Sequence, residues 1–354
     1  MFRYCIIKIS QHVVLSCFHN SSWSLIKTLS IFVASIAAAS IAVAAEIRVP
    51  PVSLDDENLD RESVGALAWR GGIAISMDDP RFGGLSALQI SRDGQKLTAV
   101  SDRGAWFTAD IAYRGGRLVG LRNPRLTRML APNGVPISGR EADAESLARS
   151  RDGGLIVAFE RTHRLWRYGG DDPTRARASR LPTPQAWRDM PDNGGIEALT
   201  RLCDGALLAV SEKAETRPGL AAAWIRQSSR WQPLSYRRRG DFRPTAAALL
   251  PDCGVVFVER SFSFLAGLDI RIVTIPAMAI RPGAVLAPRE VARLSSPLTI
   301  DNFEGIAARR NAYGDTVLYL ISDDNFSPLQ RTLLQMFVFD DETRERGAYP
   351  GVAQ

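Results

Sequence analysis

The chain has 354 residues, 45% hydrophobic and 23% charged, a balance that excludes wholesale disorder. Its 44 lysines and arginines against 38 acids give a formal net charge of +6, which raises the question of an anionic partner. Length alone suggests about two domains, although a large all-β fold can run this long as one unit.

The first 45 residues hold Arg3, Lys8 and Lys27 and no acid. Thr28 to Ala45 is apolar and small, and Ala42-Val43-Ala44 offers a small-x-small cleavage site, with Val43-Ala44-Ala45 the alternative. This pattern predicts a secretory signal peptide over residues 1–45, exported without a twin-arginine signal. An uncleaved anchor of about 18 residues is the alternative, weakened by its alanine and serine content. Cleavage leaves one domain over residues 46–354, periplasmic or secreted, with no stable membrane span. The leader removes three positive charges, so 41 bases face 38 acids and the net charge falls to +3. With no stacking-aromatic or basic-helix motif, no nucleic-acid partner is expected. Cys5 and Cys17 leave with the leader. Cys203 and Cys253 remain as an even pair for which a disulfide is expected in an oxidising compartment, two unpaired turn thiols being the alternative.

Beyond the leader, Glu62 to Met77 contains two short strand patterns. A phrase then recurs: an apolar run, a turn usually carrying Asp-Gly, a second apolar run and an acid. Its copies are Ser86–Gly104, Glu145–Arg161, Glu197–Lys213, Thr245–Arg260 and Glu304–Asp324, the last with a longer turn. Their starts are 59, 52, 48 and 59 residues apart. Each copy is a hairpin signal. Further strand patterns lie between them at His163–Tyr168, Ala222–Arg226, Trp231–Tyr236 and Asp269–Ile275. Repeats of about 50 residues with two to four strands each predict an all-β fold, a single β-propeller. Five repeats are clear. If Glu62–Met77 pairs beside the final run, Leu333–Phe339, it closes a ring of five blades. If it makes a blade of its own, there are six.

The repeats place carboxylates at two matched points. Glu145, Glu197 and Glu304 open first strands, where Ser86 and Thr245 fill the same slot in the other copies. Asp102, Glu160, Glu212, Glu259 and Asp323 end second strands. First strands line a propeller's central channel, so these acids converge on one axis, where they need cations or protons. One reading is a calcium site of oxygen ligands: Glu145, Glu197, Glu304, Asp102 and Asp323. The other is a ring of structural Glu–Arg pairs. Absence of a following base favours metal for the three glutamates; the bases after Asp102, Glu160, Glu212 and Glu259 favour pairing for that set.

The leader aside, the only histidine is His163, and there is no Gly-x-Ser-x-Gly elbow and no Walker or dinucleotide glycine motif. A serine–histidine hydrolase would have to use His163, and a histidine-rich zinc site is excluded by count. Hydrolysis by this chain would therefore rest on carboxylates and a metal acting on water. Candidate catalytic residues are Glu304, Asp323, Asp324 and His163. Arg103, Arg161, Arg260 and Arg331 are the candidates for receiving an anionic group.

Several stretches resemble the bacterial phytase-like family, labelled "esterase-like activity of phytase". They are Phe82-Gly83-Gly84-Leu85-Ser86, Ser101-Asp102-Arg103-Gly104, Asp143-Ala144-Glu145-Ser146-Leu147, Phe159-Glu160-Arg161, Asn193-Gly194-Gly195-Ile196-Glu197, Asp301-Asn302-Phe303-Glu304-Gly305 and Ser322-Asp323-Asp324-Asn325-Phe326. The resemblance covers about Val64 to Phe339. It implies an exported propeller with hydrolase activity on phosphate or carboxylic esters, and the calcium-dependent propeller phytases suggest six blades around a cation-filled channel. The chain departs from that pattern in its five clear repeats and in lacking a lysine-rich phosphate cradle. The expectation is a monomeric metal-dependent hydrolase of a small anionic ester. Its rival is a non-catalytic periplasmic propeller that binds a protein, peptide or glycan.

Overall fold

In the recurring phrase, aspartate and glycine do separate jobs at the turn. The carboxylates of Asp93, Asp152, Asp204 and Asp252 accept the backbone N–H two residues on, at 3.0, 3.4, 2.8 and 2.9 Å. Gly94, Gly153 and Gly205 then take the left-handed backbone (φ 78°, 88° and 84°) that reverses the chain, and in the fourth copy Cys253 takes it instead. The computed structural model describes residues 46–339 except Ala266; the expected leader lies outside the described residues.

Each phrase forms the two inner strands of an antiparallel sheet. The first blade runs Leu85–Ile90, Lys96–Ser101, Ala105–Arg114 and Arg117–Arg128. The second runs Ala144–Arg149, Leu155–Phe159, Arg164–Tyr168 and Ala178–Leu181. The third, Ile196–Arg201, Leu207–Arg217, Leu220–Gln227 and Arg230–Arg237, gains a parallel edge strand at Val285–Leu286. The fourth comprises Arg243–Leu249, Val255–Ser263, Gly267–Ile275 and Arg289–Ser295. In the fifth, Asn302–Arg310, Thr316–Asp323 and Thr332–Phe339 are completed by Leu67–Met77, paired antiparallel to Thr332–Phe339. The short strands Ile47–Arg48, Pro51–Val52 and Ser63–Val64 also pair with Leu67–Met77, so this region completes the fifth blade and forms no sixth. Each inner strand neighbours the next in cyclic order, the fifth returning to the first, so the fold is a five-bladed β-propeller.

Both faces of a blade meet neighbouring blades. The middle stretches of the blades are therefore apolar on both faces; all five residues of Leu155–Phe159 are buried. The core is divided into five wedges, one between each pair of adjacent blades. Leu318, Leu320 and Phe337 meet Val256 and Ile270 in the fifth–fourth wedge. Cys203 and Cys253, on the hairpin turns of the third and fourth blades, form a disulfide with Cα atoms 5.6 Å apart. Among the described residues helical structure is limited to short 3-10 turns, and no helix is long and apolar enough to cross a membrane.

Candidate functional site

Every inner strand carries a β-bulge at the same place. The register against the second strand skips Ser86, Glu145, Glu197, Thr245 and Glu304, one in each blade. These are the slots the repeats matched. A bulge adds a residue without a partner and re-aims its side chain, here turning the three glutamates toward the ring axis. Beneath the bulges the axis is filled. Ala87, Ser146, Ala246 and Gly305 surround a gap of only about 10 Å³, at most the room one water needs. The channel is therefore a cup open at one face.

The cup encloses about 270 Å³. Eight carboxylates line it: Asp102, Asp143, Glu145, Glu160, Glu197, Glu212, Glu304 and Asp323. Three cations, Arg161, Lys213 and Arg260, face them, along with Asn193 and Asn325. All five sequence-predicted metal ligands, Asp102, Glu145, Glu197, Glu304 and Asp323, are thus brought together. So are Arg161 and Arg260.

The cup has two electrostatically different sides. On one, Arg260 lies 3.0 Å from Glu304 and 3.4 Å from Glu212, and bonds the Asn302 amide oxygen. Glu304 also accepts from Asn302 Nδ2 at 2.9 Å. Lys213 Nζ stands 3.6 Å from Glu212 and donates to Asn193 at 2.8 Å. On the other, Asp143, Glu145 and Glu160 each offer an oxygen within 4.8 Å of the others. Arg161 pairs with Asp143, while Glu160 accepts the backbone N–H groups of Gly194 (2.6 Å) and Gly195.

Crowding and burial raise the acids' proton affinity. Burial, reinforced by Asp143, pushes Asp102 up to about 7. Burial with Glu304 pushes Asp323 to about 9. Burial and neighbouring carboxylates hold Glu145 and Glu197 well above the usual carboxylate range. Burial also raises Glu304, against the pull of Arg260. A site with this donor set favours either protons or a hard cation.

Four predicted residues lie outside the cup lining. Asp324 accepts from the Gly84 and Phe326 N–H groups at 2.9 and 3.1 Å and from Thr332 at 3.1 Å, a structural clasp between the first and fifth blades. The His163 ring lies over Gly195 with Nε2 2.8 Å from the Pro191 carbonyl. Arg103 is stacked 3.1 Å over the Phe326 ring. Arg331 is exposed, and its backbone N–H donates to Asp301 at 2.8 Å.

The sequence pattern missed three acids for the cup. Glu160 and Glu212 belonged to the set read as structural pairs; Glu212 does pair, with Lys213 and Arg260, whereas Glu160 spends one oxygen on backbone N–H groups and Arg161 reaches Asp143 instead. Asp143 sits just before the second inner strand, outside the repeating slots. One matched residue is out of place. Glu259 faces Pro244, the position held by Ser101, Ser211 and Ser322 in other blades, and Arg260 is the true equivalent of Asp102, Glu160, Glu212 and Asp323. Glu259 instead enters the core, 2.5 Å from Arg271 and accepting from Tyr236 at 2.7 Å.

Comparison with known proteins adds a family. The family model described as "Phytase-like: Esterase-like activity of phytase" matches residues 80–326. No curated protein matches the sequence. Among solved structures the chain is similar to virginiamycin B lyase from Staphylococcus aureus, at 11% identity and TM-score 0.41, covering 83% of this chain and 99% of that one. It is also similar to the α-L-arabinofuranosidase PaAbf62A from Podospora anserina, at 10% identity and TM-score 0.48, covering 77% and 97%. A β-propeller domain from Myceliophteria thermophila gives 9% identity and TM-score 0.39, covering 82% and 99%.

Proposed function

We propose, from the premise that this chain belongs to the phytase-like family, that it is an exported, monomeric hydrolase that binds calcium in its acidic cup and cleaves phosphate or related esters. One observation carries the reading: eight buried or half-buried carboxylates surround about 270 Å³ and meet only three cations. The donors fit a hard cation, since every charged acceptor is a carboxylate oxygen and neither histidine nor cysteine lines the cup. Asp143, Glu145 and Glu160 would form the nearest group of ligands, with Glu197, Glu304 and Asp102 around them. Bound calcium would supply a Lewis acid and a more acidic water.

The chain's own residues take the remaining roles. Arg260, Arg161 and Lys213 stand in the lining and receive the anionic part of the ester. Glu304 orients the attacking water. Asp323, pushed up to about 9, holds a proton for the leaving oxygen. Asp324 and His163 take no part, because neither faces the cup.

The test is a panel of phosphomonoesters and carboxylic esters with purified mature protein, metal content being measured on the same sample. Turnover is expected to fall at least about 100-fold with chelator and in Glu304→Gln, as for loss of a group acting on the reacting water. Turnover indifferent to both would reject the mechanism.

A second reading has its own observation. Phe262, Phe264 and Leu265 are 70%, 95% and 97% exposed in the fourth blade. Phe262 borders a groove of about 1040 Å³ that shares Glu212, Lys213 and Arg260 with the cup. A non-catalytic propeller docking a peptide or glycan there would show saturable binding without turnover.

A further inference from the structure

Glu197 is the second residue of the inner strand Ile196–Arg201 and Arg201 ends it. Four residues of extended chain separate them, about 13 Å, so Arg201 emerges on the face opposite the cup. Ser150 and Arg151 follow the end of Ala144–Arg149 in the neighbouring blade and reach the same face. A pocket of about 500 Å³ lies between the two blades there. It is lined by Arg151, Arg167, Arg201 and Arg226, with Ser228 and Ser229 at its edge.

The pocket's charges are incompletely matched. Asp152 is its one acid and is paired with Arg167, so four guanidiniums face one carboxylate and leave three positive charges. Arg151 donates to the Asp204 carbonyl at 3.0 Å. Among the described residues, Arg201 Nη1 and Arg226 Nε are buried and have no hydrogen-bond partner, and neither side chain makes an ion pair. A buried donor left unmatched is destabilising, more so when charged, and like charges add to it. Burial with Arg151 and Arg92 nearby holds the Arg201 guanidinium below its usual proton affinity. Two guanidiniums of one pocket thus carry donors that no acceptor among the described residues satisfies.

We propose that this pocket is a second binding site, independent of the acidic cup, for a small molecule bearing two or more phosphate or carboxylate groups. Guanidinium forks match both oxyanions bidentately, and serine hydroxyls add donors at the edge. The volume lies in the range of small-molecule sites. The ligand's charge matches the lining, at about −3 by complementarity.

Calorimetric titration of the full-length mature protein in calcium-free, low-salt buffer tests this, with pyrophosphate in one arm and citrate in the other. Saturable binding of at least one is expected. It should weaken at least about 10-fold in Arg201→Gln/Arg226→Gln, as for loss of charge-assisted hydrogen bonds, and remain within about twofold in Glu304→Gln. Pyrophosphate alone would assign a phosphate ligand, and citrate alone a polycarboxylate. If the double variant fails to fold, Arg151→Gln, whose side chain is exposed, should still weaken binding by about threefold or more. No saturable binding below about 10 mM in either arm (weaker than about −3 kcal/mol), or binding lost in Glu304→Gln and kept in the arginine variants, would overturn the proposal.

Discussion

Arg260 occupies one place in a ring whose other four members are acids. Its guanidinium neutralises the Glu212–Glu304 side of the cup and leaves Asp143, Glu145 and Glu160 as the side short of positive charge. The sequence led to Glu259 for that place because an acid-then-base pair recurs in three other copies. A slip of one residue moves a side chain to the other face of the sheet, so Glu259 lies in the core. The serines before Asp102, Glu212 and Asp323 carried the correct register, but Phe159 and Glu259 in the same position obscured it. The raised acids set a pH dependence. A carboxyl whose folded affinity exceeds its unfolded one binds more protons when folded, so its contribution is fully present below about pH 4 and is lost as pH rises through the folded value. For Asp102 and Asp323 those values are about 7 and about 9. Chelated protein should therefore melt several degrees lower at pH 9 than at pH 5, and calcium should restore most of the loss at pH 9 by binding the folded state. A melting temperature that is flat with pH under chelator would show that the cup's acids are ionised without cost.

At the scale of the element, the bulge connects strand to site. The repeated Glu or hydroxyl slot was legible because each bulge recurs at one position per repeat. The bulge itself was not, since it is a matter of pairing between strands that periodicity does not record. The turns were legible because Asp and Gly have separate, local reasons to be there. Gly305, next to the fifth bulge, shows how closely the strands approach. A Cβ there would lie 2.5 Å from Ile321 Cγ2, 2.9 Å from Leu88 Cδ2 and 3.0 Å from the Ala87 Cα. Gly305→Ala should cost about 1–3 kcal/mol through overpacking, measured by urea denaturation. It should also disturb the floor of the cup, seen as weaker calcium stabilisation. A neutral result on both would mean that the fifth inner strand shifts freely.

Across the whole molecule, charge is sorted along the ring axis. Eight acids gather at one face and an arginine pocket lies at the other, an arrangement that the single figure of a +6 net charge conceals. The overall fold was largely legible, because five repeated hairpins mark a propeller, while the choice between five and six blades rested on where Leu67–Met77 pairs. The arginine pocket was not, because its residues come from hairpin turns and strand ends in two blades with no shared spacing. Leu67–Met77 completes the fifth blade from the opposite end of the chain. Removing residues 46–77 should leave Thr332–Phe339 as an unpaired edge and give an aggregating product without a cooperative melt, read by size-exclusion chromatography and calorimetry. A monomer with an unchanged melting temperature would show that the fifth blade stands on three strands.

The same closure sets an order of events during synthesis. Ile75 pairs with Thr332, so the last blade cannot be completed until nearly all of the intervening chain has been made. At ribosomal speeds of about 5–20 residues per second that interval is roughly 13–51 s. Throughout it the early strand has only the short strands before it, and lacks Thr332–Phe339, the long partner that completes its blade. The nascent polypeptide is thereby kept from locking into its finished ring until Thr332–Phe339 has been made, so the ring closes late and all at once rather than blade by blade.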